Sequence, residues 1–190
     1  MMRNVGWWIP ISLLVLLGTV TALLSAAPSL GAGELRSLGD DDPAARSSAI
    51  EHLVSAGSTS DLLYELDQDH TPLVKAGLAE ALRRRGVTSD DVATLEGLLG
   101  SSNVTTRYLA AGLLGPVASR AREALATRAA DPDETTLVRA AAARALGGAG
   151  ARARTPLRGL AYDRGIPATV RHAAIRALAV VDSGGTDDVR

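Results

Sequence analysis

Residues 133–147 read DETTLVRAAAARALG, and the grammar of this segment returns along the chain. Its Arg139 belongs to a series, Arg46, Lys75, Arg107, Arg139 and Arg171, separated by 29, 32, 32 and 32 positions. Seven residues after each stands a leucine: Leu53, Leu82, Leu114, Leu146 and Leu178. Three and four residues after each come Ala49/Ile50, Leu78/Ala79, Ala110/Ala111, Ala142/Ala143 and Ala174/Ile175. On a 3.6-residue wheel these positions form one stripe, which predicts an amphipathic helix with a buried seam. A period near 32 residues in a helical pattern is the signature of an array of helical hairpins.

Local signals divide each unit into two helices. Asp42-Pro43 and Thr71-Pro72 are N-cap and first-turn pairs. Gly57, Gly86, Gly115-Pro116 and Gly147-Gly148-Ala149-Gly150 end the basic helices, Gly57 being expected in a left-handed stop. Returning helices then carry Leu62, Leu63 and Leu66; Val92, Leu95, Leu98 and Leu99 after a Ser89 cap; Val117, Ala121 and Leu125; and Leu157 and Leu160. The third and fourth basic helices are expected to open after Ser101-Ser102-Asn103 and around Asp131-Pro132-Asp133, and the fifth to run from about Pro167 to Val181 without a returning partner. The expectation is an all-α solenoid, a superhelical stack of about four and a half hairpins, preceded by an N-terminal hydrophobic helix. The basic residue at the head of each seam is costly to bury without a partner. A carboxylate lies six residues before it in three units, as Asp40, Asp69 and Asp133, while Ser101 and Gly165 hold the other two places.

The segments at 133–147 and at 69–82 (DHTPLVKAGLAEAL) resemble HEAT-type repeats, closest to the short bacterial repeats related to those of phycobilisome lyases. The similarity covers roughly residues 38–181. It implies an armadillo-type fold in which a loop aspartate and a helix arginine form a hydrogen-bonded ladder between successive units. By that resemblance Asp40, Asp69, Asp133, Arg46, Lys75, Arg107, Arg139 and Arg171 are structural. Such a fold says little about function.

No charge occurs between Arg3 and Glu34, and residues 7–24 are dominated by Ile, Leu, Val and small side chains. At about 1.5 Å per residue this run and its flanks span a hydrocarbon core of about 30 Å. Trp7 and Trp8 sit beside the lone cation, where an interfacial belt belongs, and place the start of the chain in the cytoplasm. Two readings stay open: an uncleaved single-pass anchor, or a cleaved secretory signal ending at Ser25-Ala26-Ala27 or Ser29-Leu30-Gly31. Either exports the remainder. The organisation is then 1–27 anchor or signal, 28–37 a Pro/Gly/Ser linker, 38–181 the repeat domain and 182–190 a polar tail.

Composition excludes several chemistries. There is no Cys, so disulfides, thiolate catalysis and zinc–thiolate sites are absent, and there is no Phe, so the core rests on Ala, Leu, Val and Ile. His52, His70 and His172 have no His or Cys at helical spacing, and Glu51-His52 is a single, reversed counterpart of the repeated His-Glu pairs of HEAT-type metal hydroxylases. Gly147–Gly150 follows a helix and lacks the Lys-Ser/Thr of a phosphate loop. No Gly-x-Ser-x-Gly occurs. Asn103-Val104-Thr105 fits a turn as well as a glycosylation sequon, and Arg83-Arg84-Arg85 fits a helix C-terminus, where cations meet free carbonyls. No cofactor, metal, small-molecule substrate or nucleic acid is expected; the chain's net charge is −1 and stacking aromatics are few.

The net charge hides a polarity: residues 34–100 hold 13 acids against 6 bases, and residues 101–190 hold 8 against 13. Five positions after each seam cation the row reads Glu51, Glu80, Gly112, Arg144, Arg176. Its outward neighbours are small, among them Ser47, Ser48, Ala76, Gly77, Ala140, Ala141 and Ala173. The expectation is a shallow groove graded from acidic to basic that engages a protein or peptide, with Glu51, Glu80, Arg144 and Arg176 as contacts. The functional reading is a non-catalytic, membrane-tethered scaffold. The alternatives are a secreted periplasmic binding or assembly factor, and an enzyme-associated subunit of lyase or hydroxylase type.

Overall fold

Proline and small polar residues set the helix starts. The computed structural model describes residues 30–184, which are helical with no strand among them. In order they form α1 (Ala32–Leu38), α2 (Pro43–Ala56), α3 (Thr59–Asp67), α4 (Pro72–Arg85), α5 (Val92–Leu98), α6 (Val104–Leu113), α7 (Arg122–Ala130), α8 (Thr136–Leu146), α9 (Arg154–Tyr162) and α10 (Ala168–Gly184). Short 3-10 turns, Ser89–Asp91, Gly115–Val117 and Gly147–Ala153, fill three connections. The hydrophobic segment 1–27 and residues 185–190 of the tail lie outside the described residues. Among the described ones no helix is long and apolar enough to cross a membrane.

The N-caps bring the five cations into register. Asp42 accepts from Ala44 N–H, Thr71 from Val74, Asn103 from Thr105 and Thr106, and Thr135 from Val138. The amides of Arg46, Lys75, Arg107, Arg139 and Arg171 donate to the carbonyls of Asp42, Thr71, Asn103, Thr135 and Pro167, each four residues back. Each cation thus closes the first full turn of its helix. The fourth basic helix starts at Thr136, later than Asp131–Asp133 suggests, because Thr135 is the cap and Asp131 spends its carboxylate on the Asp133 amide. Thr88, with Asp91 in a reciprocal capping box, replaces Ser89 as the cap before α5.

Helices α2, α4, α6, α8 and α10 touch in succession, and each shorter helix packs on the long helix that follows it: α1 on α2, α3 on α4, α5 on α6, α7 on α8, α9 on α10. That pairing corrects the linker expected at 28–37. Leu38 is fully buried, and its side chain sits against Gly77, so α1 covers α4 as well as α2. Leu53, Leu82, Leu114 and Leu146 are buried in one continuous core with Ala110, Ala111, Ala142 and Ala143. Ile175 departs from the expected stripe at 51% exposure, because no described helix follows α10 to cover it.

Two glycines are needed for space. Gly57 ends α2 in extended backbone (φ −68°), not in the left-handed stop expected, and a Cβ there would come 2.7 Å from the Leu53 carbonyl oxygen. Gly148 lies so close to the Gly115 carbonyl that a Cβ would overlap it, which locks the turn after α8 against the turn after α6. Gly148→Ala should therefore cost about 1–3 kcal/mol in urea unfolding. Gly97→Ala, inside α5 with open space around it, should gain up to about 1 kcal/mol by helix propensity. Equal effects of the two substitutions would show that the close approach at Gly148 is not formed.

Candidate functional site

The cation at the head of each long helix reaches back to the end of the preceding segment. Carbonyls there have no intrahelical partner, and a cation offsets the negative helix terminus. Arg46 donates to the Asp40 carbonyl and Arg171 to the Ile166 carbonyl. Arg139 donates to Ala129 and Ala130 at the end of α7. Lys75 donates to the Leu66 carbonyl of α3 at 2.9 Å and to Thr106 Oγ1 of α6 at 2.7 Å, while Thr106 donates to the same carbonyl at 3.0 Å. Burial lowers the Lys75 pKa, opposed by the charges of Asp67 and Asp69.

The expected carboxylate ladder is thus corrected. No side-chain hydrogen bond joins Asp40 to Arg46, Asp69 to Lys75 or Asp133 to Arg139 among the described residues. The Asp40 carboxylate instead accepts from the Asp42 amide, while Asp133 is exposed. A short aspartate in a tight loop folds onto its own backbone more readily than it reaches a helix six residues on. The link between successive units passes through other side chains. Arg107 grips Glu134 with Nε to Oε2 at 2.7 Å and Nη2 to Oε1 at 3.0 Å, and also donates to the Ser101 carbonyl. Ser101 donates to Asp67 at 2.7 Å.

Glu134, one residue beyond the position singled out by spacing, is the buried acid of this network. Its side chain is 1% exposed, with Arg128 also within 3.4 Å. Burial works to raise its pKa, but the Arg107 and Thr135 hydrogen bonds and the Arg107 charge outweigh that, and the net shift is downward. A depressed carboxylate contributes stability above its unfolded pKa, about 4.3, and loses it as pH falls through the folded value. Glu134→Gln should lower stability by about 1.5–3 kcal/mol near neutral pH. Its deficit against wild type should shrink below about pH 4, as followed by denaturant midpoints; a deficit unchanged down to pH 2 would contradict the ion pair.

The outward row is not graded as expected. Glu51 and Glu80 both accept from Arg84, at 2.5 and 2.7 Å, and Glu80 also pairs with Arg83. The Arg84 hydrogen bond holds the Glu80 carboxyl below its usual range, against a smaller opposing effect of burial. The acidic half of the row is therefore neutralised by the Arg83-Arg84 pair. Arg85 turns away to cap the Val54 carbonyl of α2 at 2.6 Å. Gly77, Ala140, Ala141 and Ala173 are buried, because α4, α8 and α10 are covered on more sides than one stripe provides. Ser47, Ser48 and Ala76 are exposed as expected.

No family model and no curated protein matches this chain.

What is open is the basic half. Arg144 and Arg176 are exposed and engage no acid among the described residues. Arg144 lines two adjoining concavities. The first, about 330 Å³, is bounded by Arg83, Tyr108, Gly112, Ala141 and Arg144; the second, about 430 Å³, by Arg144, Thr169, His172, Ala173 and Arg176. Among the other sequence candidates, His52 pairs with Glu34 at 2.7 Å and His70 with Glu65 at 2.8 Å. Asn103 serves as a helix cap. No three metal-capable side chains gather among the described residues.

Sequence reasoning missed Thr106 and Glu134, and read Arg84 only as a cation at a helix C-terminus. Their partners stand 31, 27 and 33 positions away along the chain. A search one period apart would have paired Glu51 with Arg84, and helical spacing pairs Arg84 with Glu80, but no local motif marks Thr106 or Glu134.

Proposed function

We propose that this protein is a HEAT-type α-solenoid that works as a non-catalytic scaffold, held at a membrane by residues 1–27 and displayed outside the cytoplasm. The observation that carries the reading is the common register of the five cations. Each closes the first turn of a long helix, and those helices touch in succession at a period near 32 residues. Stacked units of this kind present extended side-chain rows that suit docking of a protein or peptide. The partner face is the outward side of α6, α8 and α10, where Arg144 and Arg176 stand. A leader of uncharged residues beside a lone arginine supports export.

Three measurements test the reading. A phosphatase active only outside the cytoplasm, fused after Arg190, should be active, and its inactivity would overturn the export. The intact mass separates an anchored chain from one cleaved after Ala27. A photo-reactive benzophenone side chain placed at exposed Thr169 should cross-link a recurring protein in intact cells, whereas one placed at exposed Tyr162 should not. Identical cross-linking patterns from the two positions would remove the docking face.

A further inference from the structure

We infer that the linked concavities around Arg144 bind an acidic, extended polypeptide segment, with Arg144 and Arg176 as its carboxylate anchors. This rests on the scaffold reading and names the partner's chemistry. Neither concavity has a carboxylate in its lining, while Arg83, Arg144 and Arg176 bring three guanidinium groups to it. Of these, Arg83 is already engaged by Glu80, whereas Arg144 and Arg176 are free of acids among the described residues. The acidic half of the same row is closed by Arg84. Positive potential is therefore what the row offers a partner, and a planar guanidinium fork matches a carboxylate.

The shape selects a chain over a small anion. Arg144 belongs to both concavities, so they adjoin at α8, one lying towards α6 and the other towards α10. Packed helices lie about 8–10 Å apart, so the path is about 16–20 Å, or five to six residues of extended backbone at about 3.3 Å each. Gly112, Ala141 and Ala173 keep the floor low, so a backbone can lie close to the helices. Arg144 and Arg176, about one helix spacing apart, would meet acids two or three residues apart in the ligand. A single-stranded nucleic acid fits less well, because Tyr108 and His172 are the aromatic rings lining the path, one in each concavity, with no Trp or Phe beside them, and such strands need successive stacking platforms.

The test uses the full-length protein in mild detergent and a fluorescein-labelled hexaglutamate peptide followed by anisotropy at low salt. Wild type should bind saturably, and R144E/R176E should bind at least about tenfold more weakly. R144Q/R176Q, which keeps size and removes charge, should fall between them. R158E/R164E, which makes the same net charge change at exposed arginines outside the path, should stay within about twofold of wild type. Raising salt should weaken binding by wild type. Absence of saturable binding, equal losses in the two charge-reversed pairs, or tighter binding of a labelled single-stranded hexanucleotide would overturn the acidic-peptide site. The cross-linking contrast at Thr169 and Tyr162 would then still decide the scaffold reading by itself.

Discussion

One interaction organises the described chain: a cation at the fourth position of a long helix reaching back to carbonyls at the end of the preceding segment. Those carbonyls have no partner inside their own helix or turn, and leaving one unpaired where it is buried, as at Leu66 and Ala129, would cost about 1–3 kcal/mol. The cation satisfies them, and Lys75 and Arg139 also meet the negative end of the preceding helix in the same gesture. Because the N-cap sets the cation's height on its helix, it also sets the height at which the neighbouring segment must end. Register between helices thus follows from capping chemistry plus one long side chain. Lys75 and Thr106 extend the link to a third helix, since both engage the Leu66 carbonyl.

Packing around these links depends on small side chains. Ala140, Ala141, Ala142 and Ala143 are all buried, so α8 is enclosed nearly all round. With no Phe in the chain, close approach of helices takes the place of large rings as the source of buried contact. Gly148 against Gly115 is the tightest expression of this, leaving no room for a β-carbon, and Gly77 sits close against the Leu38 side chain. The cost falls on tolerance, because a core of short side chains has few flexible ends that can yield to an added methyl group.

Much of the helical order could be read from the residues. Pro43 and Pro72 mark the starts, Gly86 marks an end, and the stripe at +3, +4 and +7 is buried except at Ile50, which is half-buried, and Ile175, which is exposed. The failures are of one physical kind, because each depends on contacts distant along the chain. Helix α1 looked like a linker since its seven residues carry few apolar side chains, yet Leu38 finds a socket at Gly77. Glu51 and Glu80 looked like an open acidic surface until Arg84 closed on both. Asp133 fitted the spacing rule for a ladder, but the adjacent Glu134 has the reach to meet Arg107 from a buried position, and burial decided between them.

Lys75 is the only lysine in the chain, and it is 1% exposed with its ammonium enclosed by α3, α4 and α6. An acylating reagent aimed at lysine side chains therefore meets a single target, shut away while those three helices stay together. Covalent tagging of that amine would then proceed at the pace of their parting, giving this protein a built-in clock for the breathing of its middle.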